Sequence, residues 1–216
     1  MFTLKEVTYN EILHIKELHI PGEKITCIVG ESGSGKSTAV KLLNNLISSD
    51  AGSIEYKNKP IHTFDTIDLR REVVMVPQTP IIFDGTVKEN LLIGLQFSEK
   101  PFVEDEKLHA VLETVHLKKS LEESADQLSG GEKQRLSLGR VLIMEPEVYI
   151  FDEPTSALDE ATEDRVMGNI IKEIKGNQKT AIIITHSKKV AQTYGDLIVE
   201  IKNGQIVETK EISNHG

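Results

Sequence analysis

The chain carries two different hydrophobic rhythms. FTLKEVTY (2–9) and ILHIKELHI (12–20) alternate apolar and polar residues, the pattern of half-buried strands, and Pro21-Gly22 ends the second. Together they predict an antiparallel layer. ITCIV (25–29), VVMV (73–76), VYIF (148–151) and AIIIT (181–185) are instead near-continuous apolar runs, as in strands covered on both faces, and LIVEI (197–201) reads as a further buried strand. Helix-like stretches lie between them: Thr38 to Ile47, Asp159 to Ile174 and Ser187 to Tyr194. The core is therefore read as α/β, a parallel sheet wrapped by helices. SIEY and KPIH after the turn at Asp50-Ala51-Gly52 look like a hairpin, and Asn203-Gly204 predicts a tight turn into QIVE. From about Thr86 to Val141 the rhythm becomes helical (Val87, Leu91; Leu108, Val111, Leu112, Val115) with no convincing strand, which predicts an inserted helical arm.

At 216 residues, with no internal repeat and no linker-like composition shift, the chain reads as a single domain, 1–216, its helical subdomain spanning about 79–141. No appended regulatory domain is expected. A net charge of -9 without a long Lys/Arg run argues against nucleic acid as a partner. The single cysteine, Cys27, sits inside ITCIV and reads as a buried structural thiol, consistent with a reducing compartment. No signal pattern opens the chain, and no apolar run approaches the ~18 residues of a bilayer span, so any membrane role falls to a partner.

The chemistry is concentrated in a few short segments. Gly30, Glu31, Ser32, Gly33, Ser34, Gly35, Lys36, Ser37 and Thr38 contain G-x-x-x-x-G-K-[ST] between a predicted strand and a predicted helix. In that setting backbone N–H groups cradle phosphates, Lys36 reaches the terminal ones and Ser37 holds magnesium. VYIFDE delivers Asp152 and Glu153 at the carboxyl end of a buried strand, where open α/β sheets bind ligands. Asp152 suits the magnesium shell, and Glu153 suits the attacking water of an in-line phosphoryl transfer. Leu128, Ser129, Gly130, Gly131 and Glu132 form LSGGE at a predicted helix start, an anion-binding end that has no phosphate loop of its own. It looks like half of a site.

The order of these segments resembles that of the ATP-binding cassette (ABC) ATPases, and the match covers nearly the whole chain: the phosphate loop, Gln78, LSGGEKQR, VYIFDE, SALD and His186. The resemblance implies a P-loop NTPase (RecA-like) core with an antiparallel β subdomain and an inserted α-helical subdomain carrying the signature. It implies ATP and Mg2+ as ligands and an ATPase acting as a homodimer formed on ATP binding. In that dimer Ser129, Gly130, Gly131, Glu132 and Asp159 of one chain would close over ATP held by the phosphate loop of the other; Asp159 reads equally as a helix N-cap. Gln78 would touch the metal and the water and move with the arm, and His186 would contact the γ-phosphate as the switch histidine. Tyr9 stands where the family places an adenine-stacking aromatic, although its strand alternation allows simple packing instead. The sequence departs from the family at LGRVL, where the family commonly has a small-residue ARAL run; Gly139 in a helix interior should cost ~1 kcal/mol relative to alanine.

QTPIIFDGTVKENL resembles the corresponding segment of exporter cassettes, while EESADQLSGG lacks their G-E-x-G. This mixture is most similar to the free-standing subunits of two-component iron-export (Fet-type) systems. The face near Gln78, Phe83 and the first arm helix would then receive a short helix from a separate transmembrane permease, leaving the chain cytoplasmic and peripheral to the membrane. An importer ATPase subunit, or a soluble ABC-type regulatory ATPase acting on a protein, are the alternatives.

Overall fold

A computed structural model describes residues 1–212, so residues 213–216 of the predicted domain lie outside the described residues. Strands β1 (Phe2–Tyr9), β2 (Leu13–Ile20), β4 (Ala51–Tyr56) and β5 (Lys59–Pro60) form an antiparallel sheet in the order β2-β1-β4-β5. Strands β3 (Ile25–Val29), β6 (Val73–Val76), β7 (Val148–Asp152), β8 (Thr180–Ile184), β9 (Leu197–Lys202) and β10 (Gln205–Glu211) form the second, in the order β10-β9-β3-β8-β7-β6. All of its pairs are parallel except β9 with β10. Lys57 and Asn58 make the β4–β5 hairpin turn and Asn203-Gly204 the β9–β10 turn, each with two left-handed residues as the twist of a tight hairpin demands. The predicted KPIH strand shrinks to Lys59–Pro60, because the chain turns into a short 3-10 segment at Ile61–Thr63.

The unbroken apolar strands are explained by two cores on opposite faces of the parallel sheet. Cys27, Phe151 and Ile183 point into one, toward the helical arm and α6 (Glu160–Gly176); Ile28, Ile150 and Ile182 point into the other, toward the antiparallel sheet and α1 (Lys36–Leu43). Alternate residues of one strand thus serve different cores, and no polar face remains. Cys27 is fully buried and burial pushes its thiol up to about 12, which makes it inert. Helix α1 stops at Leu43 rather than Ile47, since Asn45 turns left-handed. Helix α2 (Thr66–Glu72), absent from the sequence reading, starts at Asp65, whose carboxylate accepts from the N–H groups of Ile67 and Asp68.

The arm consists of α3 (Val87–Phe97), α4 (Asp105–Thr114) and α5 (Gly130–Met144). Its packing revises the expected cost of Gly139. A Cβ there would lie 3.1 Å from both Leu91 and Val111, so alanine's intrinsic gain is opposed by crowding against α3 and α4. Beside it, the buried Arg140 donates to Asn90 O at 2.7 Å, Asn90 Oδ1 at 2.8 Å and Ile81 O at 2.8 Å, while its guanidinium lies 4.9 Å from the Phe83 ring centre. Asn90 in turn accepts from Phe83 N at 2.9 Å and donates to Phe83 O at 2.8 Å. The arm therefore grips the stretch just after Gln78. None of these helices is long and apolar enough to cross a membrane, nor is any other among the described residues.

Candidate functional site

Strand β3 runs into the loop 30–35, whose glycines solve separate problems. A Cβ at Gly30 would fall 2.1 Å from Ile201 O, and Gly33 and Gly35 have φ of +76° and +101°. Gly35 caps α1 without any side-chain hydrogen bond, leaving the first N–H groups of that helix directed at the loop's hollow. Lys36 is 5 % exposed, and its Nζ donates to Gly30 O at 2.9 Å and Glu31 O at 2.7 Å. Burial lowers its pKa, partly offset by the carboxylates of Glu153 and Asp152. Ser34 Oγ is buried with no partner inside this loop. Ser32, Gly33, Gly35, Lys36, Ser37 and Thr38 line one side of a cleft of about 460 Å³.

Gln78, Glu153 and His186 line the other side. Asp152 ends β7 behind the cleft-lining Ser37, 6 % exposed, and accepts from Ser37 Oγ at 3.2 Å. Burial raises its pKa and the Ser37 bond opposes that rise, so the carboxylate sits where a cation would relieve it. Hydroxyl and carboxylate oxygens side by side are a donor set suited to a hard divalent cation, and the residues present fit magnesium. Glu153, one residue on, has φ of +49°, a left-handed backbone costing ~1 kcal/mol for a side-chain-bearing residue. It is fastened by its N–H to Ile184 O at 3.0 Å. Its carboxylate is held at both oxygens, by Gln78 Nε2 at 2.7 Å and by His186 Nε2 at 2.7 Å. Three residues from three strand ends thus meet at one carboxylate.

The signature residues do not reach this cleft. Ser129 caps α5 in a reciprocal box with Glu132, the Ser129 hydroxyl donating to Glu132 Oε2 at 2.8 Å. A Cβ at Gly130 would meet nothing in this chain, and one at Gly131 would press on Ala157 O and Leu158 at 3.2 Å. Asp159 caps α6, accepting from Thr162 N at 3.0 Å. Tyr9 is half-buried against the core beneath the antiparallel sheet and does not line the cleft; Ile12, 47 % exposed, does. Sequence reasoning passed over Ile12, for which strand alternation gives no special signal. It also passed over Gln134, buried on α5, which donates to Glu153 O and Ser156 Oγ, both at 3.3 Å, and accepts from Ala157 N at 3.1 Å. Its polarity on the inner face of a helix was the available clue.

Comparison with known proteins places this arrangement. Residues 13–156 match the family model described as "ABC transporter". Protein STAR1 of Oryza sativa subsp. japonica is 35 % identical over 204 residues, covering 94 % of this chain and 59 % of that protein. The ATP-dependent permease MDL1 of Candida albicans is 38 % identical over 208 residues, 91 % of this chain and 29 % of its own length. The L-cystine import ATP-binding protein TcyC of Bacillus subtilis (strain 168) is 35 % identical over 208 residues, 92 % of this chain and 84 % of that one. The chain thus spans less than two thirds of STAR1 and less than a third of MDL1. Among solved structures, the dimeric post-hydrolysis state of the ATP-binding cassette MJ0796 bound to ADP and Pi superposes with a TM-score of 0.86 at 27 % identity, covering 98 % of both chains. A bacterial Atm1-family ABC exporter with ATP bound gives 0.88 at 26 % identity, over 97 % of this chain and 38 % of the exporter. Similarity in sequence over most of its length, and in fold over nearly all of it, makes this chain a member of the ABC transporter family.

Proposed function

We propose that this chain is the ATP-hydrolysing subunit of a transporter, working as a head-to-tail pair of identical chains at the cytoplasmic face of a separate membrane permease. The observation that carries the reading is the meeting of Gln78, Glu153 and His186 across the cleft from Lys36, with LSGGE outside it. One chain offers a phosphate-binding half and, elsewhere, a second half with an open glycine. Both halves meet a nucleotide only when two chains pair.

In this reading the N–H groups at the start of α1 and the Lys36 ammonium bind the β- and γ-phosphates, replacing the loop carbonyls that Lys36 now contacts. Ser37 and Asp152 would hold Mg2+, which when bound neutralises phosphate charge. Glu153 polarises the attacking water and takes up its proton, while His186 and Gln78 orient the carboxylate and the water. Gln134 links the signature helix to the carbonyl of Glu153, so movement of α5 is felt at the base. Ser129, Gly130, Gly131, Glu132 and Asp159 complete the partner's site, and Tyr9 or Ile12 flanks the adenine. Phosphate release by the purified chain tests the reading; no Mg-dependent turnover would refute it.

The finer reading is export, with a metal cation such as iron as cargo. Export is supported by the exporter-like QTPIIFDGTVKENL, which the Asn90–Arg140 hydrogen bonds hold in place, and iron by the resemblance to the Fet-type subunits. TcyC is named for import and the Atm1-family protein for export, so direction is decided by experiment. Co-purification of the permease, then uptake of iron or L-cystine into vesicles, discriminates the readings.

A further inference from the structure

The signature helix carries a negative charge at the end where an anion is to be bound. Glu132 Oε2 accepts from the Ser129 N–H and from the Ser129 hydroxyl, each at 2.8 Å. Its other oxygen, Oε1, faces Lys119 Nζ at 3.4 Å, and the same ammonium lies 2.7 Å from Glu123 Oε1. The side chains of Lys119 and Glu132 are each 23 % exposed, so water screens the pair incompletely. The stretch that supplies Lys119 is tied to the start of α3: Val87 N donates to Glu123 O, Lys88 N to Leu121 O and Ala125 N to Gly85 O, all at 2.9 Å.

We propose that Lys119 is a positioning residue of the composite ATP site, neutralising Glu132 so that the Ser129 hydroxyl and the α5 N–H groups can receive the partner's triphosphate. The proposal rests on the head-to-tail reading above. An uncompensated carboxylate at the third position of α5 acts twice against the ligand. It repels the phosphates, and it competes with them for the Ser129 proton. Lys119 opposes both effects, because charge drawn toward Oε1 weakens Oε2 as an acceptor. Glu123 tethers the ammonium from the far side and keeps it within reach of Glu132. The hydrogen bonds from Ser129 hold the Glu132 carboxyl below its usual pKa, so the charge to be offset persists at neutral pH.

Steady-state ATP hydrolysis by the full chain tests this. Lys119→Met should raise the KM for MgATP roughly fivefold at low ionic strength, and about twofold at ~0.5 M salt, with the effect falling on KM rather than kcat. Lys119→Arg should restore the KM. In a Glu132→Gln background the same Lys119→Met change should leave KM where Glu132→Gln alone sets it. An equal rise in both backgrounds would show that Lys119 acts by holding its loop, and an unchanged KM in Lys119→Met would show no role at all; each overturns the proposal. Ser129→Arg separates the two levels: if it hydrolyses ATP normally the head-to-tail reading fails, whereas if it is inactive and Lys119→Met has wild-type KM, only the role of Lys119 fails.

Discussion

Glu153→Gln isolates what the carboxylate contributes. The side chain keeps its length, and the amide retains one acceptor and gains a donor. The native carboxylate accepts from Gln78 and His186 at 2.7 Å each. In the variant one of these contacts survives unchanged, and Gln78 can turn its own amide to accept the other. Lys36, Ser37 and Asp152 make no side-chain hydrogen bond with Glu153, so phosphate and metal binding should persist. What disappears is the negative charge that polarises water and takes its proton. A positioned general base is worth about 10²- to 10⁴-fold in rate, which is about 3 to 5 kcal/mol on the barrier. Hydrolysis should fall by that factor, and ATP should accumulate in the pair, moving the population toward dimer. Phosphate release run beside size-exclusion chromatography with Mg-ATP reads both effects. Asp152→Asn should differ, weakening magnesium dependence itself. Wild-type turnover in Glu153→Gln would sink the assignment and move the search for the base to His186.

Lys36→Ala should lose tight ATP binding and hydrolysis together, since the loop N–H groups alone cannot offset the terminal phosphates; a nucleotide titration with wild-type affinity would refute this. Mixing Lys36→Ala with Ser129→Arg chains should regain one working site per mixed dimer, and turnover no higher than that of the separate variants would contradict the composite site. Arg140→Lys should destabilise the chain by about 2 kcal/mol, because a point ammonium cannot serve Ile81 O, Asn90 O and Asn90 Oδ1 at once. Denaturant titration measures that cost, and an unchanged midpoint would mean the grip on the 81–90 stretch is unimportant to stability.

Hydrophobic rhythm and local turn chemistry were legible in the sequence because they depend on neighbouring residues. Unbroken ITCIV, VYIF and AIIIT announced strands covered on both faces, and Asn203-Gly204 announced its hairpin. The phosphate loop was equally legible, since a glycine loop between a strand and a helix needs no distant partner to take its shape. Other features depended on which distant atoms the fold brought together. That Glu153 is gripped from both sides followed from β6, β7 and β8 ending at one edge. That Ile12 lines the cleft while Tyr9 packs against the core followed from where the turn between β1 and β2 meets Gly35. The expected cost of Gly139 is offset by its packing because helix propensity is local, whereas crowding by Leu91 and Val111 is not. Sequence determined the elements and the inventory of reactive groups. Only the tertiary structure decided which of those groups touch, because contact between residues 75 apart, as Gln78 and Glu153 are, is set by sheet order rather than by anything near either residue in the chain.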